Sequence, residues 1–438
     1  MSSALPIEPD RPVTPAEIQT RIAATVPGYH LERLSQASRL ARERGWPVYL
    51  VGGFVRDLLL GLVPDDFDVV VEGDAPALAR ALVERWGGRA ALHAPFGTAT
   101  WTAPDGAEID LATARTEAYP RPAALPVVTA PASLRADLDR RDFTINAMAL
   151  PLAGDTWGEL LDPHAGRLDL AARRVRVLHP LSFEDDPTRL FRAVRYEQRL
   201  DFAIAPETLA LMGPAEAALR ALSADRLRHE LELIFREARA AAMLARLDAL
   251  GLLRRAHPAL AWGPAETEAA ALIPALPWQD WRLATPPEPD ALWLTLLLRR
   301  APAPEVSAAL ERVNAGRAVA RAVREALALR RTWTRPSEAV AVLDDLSELG
   351  VIAAGVGQPA LQPDLTAYLG VWRWVRAATT GRDLIARGLT PGPRFRTLLW
   401  RLRAARLDGQ AAEAEGEAAL LERWLAEADQ EADEWTPR

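Results

Sequence analysis

The chain of 438 residues contains no cysteine and no lysine, so all 52 of its basic residues are arginines. Without cysteine, the protein can form neither disulfide bonds nor thiolate-ligated metal sites. The sequence also lacks an uncharged apolar run of about 20 residues, the length that a membrane-spanning helix needs. These absences exclude a disulfide scaffold and predict no contact with a membrane interior.

The N-terminal segment lacks the features of a secretory signal. Residues 1–20 are polar and proline-rich, without the basic start and the apolar block that such a signal requires. We expect residues 1–28 to be a flexible leader and the protein to be cytoplasmic. The net charge of −7 does not by itself indicate a nucleic-acid partner. Binding must therefore be argued from individual sites.

The pattern of apolar residues divides the chain into two parts. At this length, two to four domains are expected. From residue 31 to 161, short apolar strands alternate with helical patterns, which predicts a mixed α and β domain. Beyond residue 173 the pattern is helical almost throughout, with proline-rich breaks near 301–304 and 390–393. The sequence therefore predicts an α+β domain followed by helical domains.

Two adjacent glycines, Gly52 and Gly53, follow the predicted strand Val48–Val51 and precede a predicted helix, Phe54–Leu60. Glycine permits close backbone approach, and the first N–H groups of a helix can bind phosphate. A dinucleotide-binding fold can begin in the same way, but it requires a third glycine that is missing here. We interpret the pair as a turn that binds a phosphate group.

Carboxylates precede a second predicted strand, DVVV. Asp66 and Asp68 are two residues apart, so in extended backbone they face the same way while Phe67 faces the opposite way. Two adjacent carboxylates repel each other unless a cation shares them, and Mg²⁺ suits carboxylate and phosphate oxygens. Two surface aspartates in a loop would produce the same sequence pattern. The pattern predicts a metal site at Asp66 and Asp68.

A third carboxylate is expected from the strand AEIDLAT, where Glu108 and Asp110 share a face. Asp110 is favoured because it lies deeper in the apolar run, and Glu108 remains the alternative. Three carboxylates beside a phosphate-binding turn are typical of two-metal phosphoryl or nucleotidyl transfer. The predicted catalytic residues are Asp66, Asp68 and Asp110.

Four segments occur in a fixed order: GGFVRD, DFD, RRDFTINAMAL and FEDDPTRLFRAVRY. Together they resemble the class II tRNA nucleotidyltransferase and bacterial poly(A) polymerase family of the polymerase-beta-like superfamily. The resemblance covers roughly two-fifths of the chain. It implies an α+β fold in which a polymerase-beta-like head with a mixed sheet is followed by an all-helical neck, body and tail. The expected boundaries are 29–170 for the head, 171–240 for the neck, 241–330 for the body and 331–438 for the tail.

The resemblance also implies roles for individual residues. Asp66 and Asp68 would bind the catalytic Mg²⁺, while Asp142 and Asn146 would hold the backbone of their motif in shape. Arg141 is favoured over Arg140 for reaching the substrate. The full set of predicted nucleotide-binding residues is Gly52, Gly53, Arg56, Arg140, Arg141, Asp186, Arg189, Arg192 and Arg195.

In the family, the residues equivalent to Asp186 and Arg189 read the incoming base in place of a template. An ordinary salt bridge between residues three apart on a helix would explain the same letters. Cytosine and adenine present an amino donor beside a ring nitrogen acceptor, which a carboxylate and an arginine complement. Uracil and guanine present the reverse order, and a buried mismatch costs about 1–3 kcal/mol per unsatisfied group.

The resemblance therefore implies addition of CCA, or of only CC or only the terminal A, to tRNA 3′ ends from CTP and ATP, with release of pyrophosphate. The expected partners are tRNA, CTP and ATP, with no membrane and no DNA. The loop 119–138 is expected to be the mobile segment needed for ATP, and the helix 222–235 is expected to brace the base-reading helix. The alternatives are a bacterial poly(A) polymerase and an inactive RNA-binding scaffold.

Overall fold

The computed structural model describes residues 11–433 except 65, 94, 95, 153 and 155. Part of the predicted leader, residues 1–10, and the last five residues of the predicted tail, 434–438, lie outside the described residues. The chain forms two compact units, Met1–Leu231 and Glu232–Arg438. The boundaries predicted within the helical part, at 241 and 331, stay predictions.

The first unit is built on a six-stranded mixed sheet, which confirms the predicted fold class. Its order is β3-β4-β5-β2-β1-β8, and β2 and β5 are parallel while the other neighbours are antiparallel. A separate antiparallel ribbon joins β6 to β7, and a short parallel pair joins β9 to β10. The strands are β1 (Val48–Val51), β2 (Asp68–Val71), β3 (Arg89–His93), β4 (Thr98–Thr102), β5 (Glu108–Thr113), β6 (Thr116–Ala118), β7 (Val127–Thr129), β8 (Ala149–Pro151), β9 (Arg174–Val175) and β10 (Ala203–Ile204).

Helices surround this sheet and continue beyond it. A single turn of 3-10 helix, Thr144–Asn146, lies inside the RRDFTIN segment. The α-helices of the first unit are α1 (Pro15–Thr25), α2 (Gly28–Glu43), α3 (Gly53–Leu59), α4 (Ala75–Trp86), α5 (Leu134–Asp139), α6 (Gly166–Ala171), α7 (Ser182–Asp185), α8 (Thr188–Leu200), α9 (Pro206–Met212) and α10 (Glu216–Ala221), followed by α11 (Ala224–Phe235), which crosses the boundary at Leu231.

Burial along two central strands explains why they carry carboxylates. In β5, Ile109 and Leu111 are buried while Glu108 and Asp110 are exposed, which is the alternation of a strand with one covered face. In β2, the three valines after Asp68 are all buried, as expected of a strand covered on both faces. The acidic residues thus lie where each strand meets solvent.

The leader predicted for residues 1–28 is not unstructured over its described part. Ile18 and Ile22 of α1 are buried, and Thr14 and Glu17 form a capping box at its start. Arg21 donates hydrogen bonds to the carbonyls of Leu58 and Leu59 at the end of α3. The prediction of a flexible leader is therefore wrong for α1, because its apolar face is buried.

The segment 119–138, predicted as a loop, contains more regular secondary structure than expected. Its C-terminal half contains β7 and the start of α5, so the connection between β6 and β7 is only residues 119–126. Strand β3 was not predicted either, because most of its residues are exposed and show no apolar alternation. Short strands at the edge of a sheet are difficult to predict from sequence patterns.

The second unit is entirely helical over its described residues, as predicted. The proline-rich breaks fall between α15 and α16 and between α21 and α22. In the described part of the whole chain, no helix combines the length and the apolar character needed to cross a membrane. The helices are α12 (Ala240–Ala249), α13 (Leu252–Ala256), α14 (Pro264–Ala270), α15 (Pro289–Leu298), α16 (Ala303–Arg312), α17 (Arg317–Ala328), α18 (Pro336–Leu343), α19 (Glu348–Gly357), α20 (Gln362–Gly370), α21 (Gly381–Ala386), α22 (Pro393–Leu407) and α23 (Ala414–Asp433), with 3-10 turns at Ile273–Ala275, Pro359–Leu361 and Trp372–Trp374.

Helix α6 packs directly on the 3-10 turn of the RRDFTIN segment. A Cβ atom added at Gly166 would overlap the backbone carbonyl of Thr144. The hydroxyl of Thr144 also donates to Asp169 of α6 over 2.7 Å. Close packing at Gly166 and this hydrogen bond together fix the backbone from which the motif's arginines project.

We therefore expect Gly166→Ala to destabilise the first unit by about 1–3 kcal/mol, because the new methyl group would displace backbone. Gly28→Ala is the matched control, since a Cβ atom there meets nothing within 4 Å. Urea unfolding measures both. Equal unfolding midpoints for the two variants would contradict the packing described here.

Candidate active site

Ten of the twelve predicted site residues line a single cleft of about 380 Å³ in the first unit. A second cavity of about 330 Å³ shares Asp68, Arg140 and Arg141 with it and adds Asp110. A larger cavity of about 540 Å³, beside α1 and α2, has no acidic residue in its lining. The ten predicted residues that line the cleft are Gly52, Gly53, Arg56, Asp66, Asp68, Arg140, Arg141, Asp186, Arg189 and Arg192.

The glycine turn gives one arginine room to enter the cleft. Gly52 has φ of 66° and ψ of −126°, a conformation that favours glycine. A Cβ atom on Gly52 would lie 2.7 Å from Nη1 of Arg141. Gly53 is the first residue of α3, which differs by one residue from the predicted start. The turn therefore serves the path of Arg141 as well as the start of the helix.

Parallel pairing of β2 and β5 sets two carboxylates side by side. Asp68 and Asp110 are direct partners in the register of these strands. The backbone N–H of Asp110 also donates to the carbonyl of Phe67 over 3.2 Å. Glu108 lies two residues away and accepts a 3.0 Å hydrogen bond from Thr102. This register favours Asp110 over Glu108 as the third carboxylate.

Asp66 lies before β2 rather than within it, because the strand begins at Asp68. It nevertheless lines the same cleft as Asp68. Between them, Phe67 is buried, with its ring stacked on His30 at a centroid distance of 4.0 Å and packed near Phe54 at 5.6 Å. Phe67 therefore anchors the turn from the opposite side, as predicted.

The protein around Asp68 disfavours its negative charge. Its side chain opens on the cleft, but burial of the carboxyl raises the pKa of Asp68, and the charges of Asp110 and Asp66 raise it further while Arg141 opposes them. Within the described ranges, no group of three or more histidines, aspartates and glutamates is arranged as a ready metal site. A hard divalent cation would relieve this repulsion, and carboxylate oxygens are ligands that it prefers. The residues therefore fit a cation held by Asp66 and Asp68.

One buried carboxylate, Asp137 of α5, binds two arginines that line the cleft. Arg140 donates to Asp137 over 2.6 Å and 3.0 Å, and Arg141 donates to it over 3.1 Å. Arg140 also reaches Glu117 of β6 at 2.9 Å, and Glu117 accepts a hydrogen bond from the hydroxyl of Tyr119. Asp137 is fully buried, so its charge depends on these arginines. The acidic partners hold both guanidinium groups in place.

A chain of polar contacts connects α3 to α8 behind the cleft. Arg56 donates to Asn146 over 2.8 Å, Asn146 donates to Asp142 over 3.0 Å, and Arg192 donates to Asp142 over 2.8 Å. Burial would raise the pKa of Asp142, but Arg192 and Asn146 lower it to about 2. The ring of Tyr196 lies 5.2 Å from the guanidinium of Arg56 and 5.7 Å from that of Arg192. Asp142 and Asn146 thus have the bracing contacts that the resemblance implies.

Asp186 and Arg189 both line the cleft, but their side chains do not bind each other, and only the backbone N–H of Arg189 donates to the carbonyl of Asp186, over 3.1 Å. Within the described chain, Asp186 accepts from Thr188 and Arg226, all through Oδ1. Arg189 is buried and donates to Ser182 over 2.6 Å and to the carbonyl of Arg140 over 2.8 Å. The ordinary salt bridge considered from the sequence is therefore absent. Oδ2 of Asp186 has no hydrogen-bond partner among the described residues.

Arg195 is the predicted nucleotide-binding residue that the structure places elsewhere. It is buried, and its Nη1 lies 3.4 Å from Glu230 of α11. At about 100° per residue, Arg192 and Arg199 lie within about 80° of Arg189 around the helix, whereas Arg195 lies about 120° away. Its assignment to the nucleotide is therefore wrong, because its side of α8 packs on α11.

Sequence reasoning missed several residues that build this site. Tyr196 and Arg199 follow Arg192 at steps of four and seven, so helical spacing could have revealed them. Asp137 lies three and four residues before Arg140 and Arg141, so the spacing of helical ion pairs could have revealed it as well. Glu117 and Tyr119 lie in the connection before RRD and have no sequence signal that would identify them. Their importance comes from contacts between segments.

The raised pKa of Asp68 predicts a stability change in the metal-free protein. The folded chain holds this proton more tightly than the unfolded chain, so the favourable contribution is complete below the ordinary aspartate pKa and is lost as the pH rises through the raised value. We expect Asp68→Asn to raise the melting temperature at pH 7 by roughly 1–3 °C, a small effect because the group is partly solvated.

Differential scanning calorimetry in the presence of a chelator measures this change in melting temperature. Asp201→Asn, at an exposed position, is the control. Added Mg²⁺ should then stabilise the unsubstituted protein more than Asp68→Asn, because a bound ion stabilises only the folded state. An equal response of both proteins to Mg²⁺ would count against the predicted metal site.

Comparisons with known proteins agree with this geometry. The family profile "Poly A polymerase head domain" matches residues 48–176, and the profile "Probable RNA and SrmB- binding site of polymerase A" matches residues 201–262. The chain is similar to an A-adding tRNA nucleotidyltransferase of Geobacter sulfurreducens, with 36% identity over 94% of the chain and 49% of the relative. It is also similar to a CC-adding tRNA nucleotidyltransferase of Deinococcus radiodurans, with 34% identity over 86% of the chain and 89% of the relative.

Solved structures show the same fold. An apo form of a CCA-adding enzyme superposes with a TM-score of 0.81 at 30% identity, covering 94% of this chain and 98% of that one. The Thermotoga maritima CCA-adding enzyme in complex with tRNA superposes with a TM-score of 0.74 at 27% identity, again over 94% and 98%. The chain spans about half the length of the A-adding relatives from Geobacter sulfurreducens, at 49%, and Halalkalibacterium halodurans, at 54%. Nucleotidyltransferases of this kind generally use a divalent metal. The fold, the motifs and the relatives together show that the chain belongs to the tRNA nucleotidyltransferase and poly(A) polymerase family.

Proposed function

We propose that the chain adds nucleotides from CTP and ATP to the 3′ end of tRNA without a template, including the terminal A. The observation that carries this proposal is the single cleft that contains both the Asp66 and Asp68 carboxylates and the Asp186 and Arg189 pair. A site for transfer and a site for base choice are thus combined. The A-adding relatives and the presence of the loop 119–126, rather than a shortened connection, favour the ATP-dependent step.

In this proposal the triphosphate lies between the glycine turn and the arginines. Gly52 and Gly53 allow its oxygens to approach the backbone, and Arg56, Arg140 and Arg141 supply positive charge. Asp66 and Asp68 would hold Mg²⁺, which supplies charge neutralisation and polarises a phosphoryl oxygen when it is bound. The lining of mixed charge suits an anionic ligand bound with a cation better than a free anion.

The proposed reaction is attack by the 3′ oxygen of the RNA on the α-phosphorus of the nucleotide. A new P–O bond forms there, and the bond to the β-phosphate oxygen breaks, so that pyrophosphate leaves. We propose Asp110 as the carboxylate that accepts the proton of the attacking hydroxyl, and its register pairing with Asp68 supports this role. Asp110 itself accepts a hydrogen bond from Thr100, which fixes its orientation.

Base choice follows from how Asp186 and Arg189 are held. The open Oδ2 of Asp186 can accept from the amino group of cytosine or adenine, while Arg189 retains N–H donors for the adjacent ring nitrogen. Both side chains are fixed by other contacts before a base arrives, so neither can turn to suit uracil or guanine. Arg192 lines the same wall, but its charge is already paired with Asp142.

We propose that the tail, 331–438, contributes tRNA contacts from α22. Arg403 and Arg406 are paired with Asp344 and Glu417. Arg394 and Arg396, in the first turn of α22, are exposed and lack an ion-pair partner within the described residues. Both arginines are therefore open to tRNA phosphates, and such contacts would weaken as salt concentration rises.

The function is tested with labelled CTP and ATP, each supplied singly to tRNA ending before CCA, after C and after CC. We expect A to be added to tRNA ending in CC, and addition of C to the shorter ends decides whether the chain builds the whole sequence. Repeated addition of A to unrelated RNA would indicate poly(A) polymerase, the second candidate, whose name the head profile carries. Failure to extend any tRNA would refute the proposal.

In the same assay, Asp66→Ala and Asp68→Ala should each abolish transfer, because either change removes a carboxylate that would hold the metal. Circular dichroism should show that both variants stay folded, since both side chains open on the cleft and neither belongs to the hydrophobic core. Asp201→Asn is the control, with activity equal to that of the unsubstituted protein. Residual transfer close to that of the control would overturn the metal assignment.

Arg189→Lys should reduce the preference for ATP and CTP over UTP by about tenfold or more, because one misplaced donor in a buried site costs about 1–3 kcal/mol. Lysine keeps the positive charge at this buried position. Arg220→Lys, at an exposed i,i+4 pair, is the control. Competition between labelled nucleotides measures the preference, and an unchanged ratio would remove Arg189 from base reading.

A further inference from the structure

The cavity of about 540 Å³ beside α1 and α2 lies apart from the cleft and shares no lining residue with it. Two contacts fix its walls. Nε2 of Gln19 in α1 donates to the carbonyl of Trp157 over 2.8 Å, and the hydroxyl of Ser38 in α2 donates to the carbonyl of Leu152, just after β8, over 3.0 Å. Small-molecule sites occupy about 300–1,000 Å³. The cavity is therefore large enough for a ligand, and the proposed reaction does not use it.

The face of α2 that lines this cavity changes from apolar to basic along the helix. Leu31 and Leu34 border the cavity near the start of α2, and Arg39 and Arg42 border it near the end. At about 100° per residue, these four residues fall within about 140° of the helix circumference. A ligand lying along α2 would therefore meet apolar side chains at one end and positive charge at the other.

The positive charge at this end is not balanced by the protein. Arg39 and Arg42 are exposed, and neither forms an ion pair or a side-chain hydrogen bond within the described residues. In contrast, Arg33, on the opposite side of α2, binds Asp105 over 2.9 Å. Guanidinium groups three residues apart on a helix can bind the same phosphate, each through directed N–H donors. The basic end of the cavity therefore favours an anion.

Polar groups and one indole ring complete the lining. Ser35, one turn before Arg39, forms no side-chain hydrogen bond within the described chain, and Oε1 of Gln19 accepts none there. Trp157 is half-buried and borders the cavity, and an indole ring can stack on a planar group. The lining thus combines partners for a planar ring, for a polar linker and for a phosphate.

We propose that this cavity is a second ligand site, which binds a small organic phosphate with a planar ring, the chemistry of a nucleoside monophosphate. Arg39 and Arg42 bind the phosphate group. Ser35 and Gln19 contact the linker, while Trp157 stacks on the ring. Binding requires no divalent cation, because the positive charge comes from the chain itself. The inference is independent of the proposed function, since no residue of the cleft takes part.

Two simpler explanations of the same residues predict different behaviour. Arginines on a solvated helix face would bind inorganic phosphate as weakly as they bind a nucleotide. Arginines that contact the tRNA backbone would affect the KM for tRNA and would be insensitive to filling of the cavity. Only a ligand site requires the apolar and the basic end together, so the organic part and the phosphate must both contribute to affinity.

The test titrates the full chain with AMP, adenosine and inorganic phosphate in EDTA by isothermal titration calorimetry. Hydrogen–deuterium exchange of the amides of residues 31–42 locates the binding. Arg39→Ala and Arg42→Ala remove the charges, whereas Ser35→Phe fills the cavity and keeps both arginines. All three positions are exposed, so the variants should fold. Arg80→Ala, at an exposed position of α4 outside the lining, is the control.

We expect AMP to bind about tenfold or more tightly than adenosine or phosphate, and to slow exchange in α2. Each arginine substitution should weaken AMP binding by about tenfold, because it removes hydrogen bonds to a charged group. Ser35→Phe should weaken it as much by steric exclusion, and Arg80→Ala should leave it unchanged.

Equal affinity for AMP and phosphate would overturn the inference, as would retained AMP binding in Ser35→Phe or unchanged exchange in α2. A raised KM for tRNA with unchanged AMP binding in the arginine variants would also overturn it, in favour of an RNA contact. The titration needs no nucleotide transfer. Failure of the proposed function would therefore leave its outcome unaffected.

Discussion

Repulsion between carboxylates on adjacent parallel strands is the constraint from which the rest of the site follows. The register of β2 and β5 makes Asp68 and Asp110 direct neighbours, and no rearrangement of side chains alone can separate their backbones. Burial is the main cause of the raised pKa of Asp68, and the charge of Asp110 raises it further. A cation at that position, as proposed for Asp66 and Asp68, would relieve the repulsion at the one parallel strand contact of the described six-stranded sheet. The arginines across the cleft moderate the conflict but do not remove it.

The remaining charges are balanced in two separate groups. Asp137 and Glu117 hold Arg140 and Arg141 on one wall, while Asp142 holds Arg192 on the other. In each group a buried acid fixes a basic group, so the direction of the arginine is set before a ligand binds. Preorganised charge of this kind stabilises a developing negative charge without a reorganisation cost at the moment of reaction. The free-energy cost of orienting these arginines instead arises when the protein folds.

The sequence predicted the central strands of the sheet and the shared orientation of their carboxylates because both depend on local patterns, while the catalytic roles of these residues stay predictions. Strand alternation and the spacing of Asp66 and Asp68 follow from backbone geometry, and the four motifs led to the family. It failed where contacts join distant segments. Arg195 was misassigned because linear spacing does not say which side of α8 faces α11. Glu117 was missed because its partner Arg140 lies 23 residues away, whereas Asp137 was overlooked although it lies three and four residues before Arg140 and Arg141.

The use of arginine rather than lysine has a physical consequence in and around this cleft. Arg189, Arg140 and Arg226 each use some N–H groups to hold a position and keep others for a second partner. A lysine ammonium is a compact charge on a flexible stem, and it cannot hold two directed contacts in a fixed plane. Under the proposed function, a protein pair that replaces a template must be immobile and yet leave hydrogen-bonding groups open. The planar guanidinium meets both requirements, and the open oxygen of Asp186 completes the surface that a base must match.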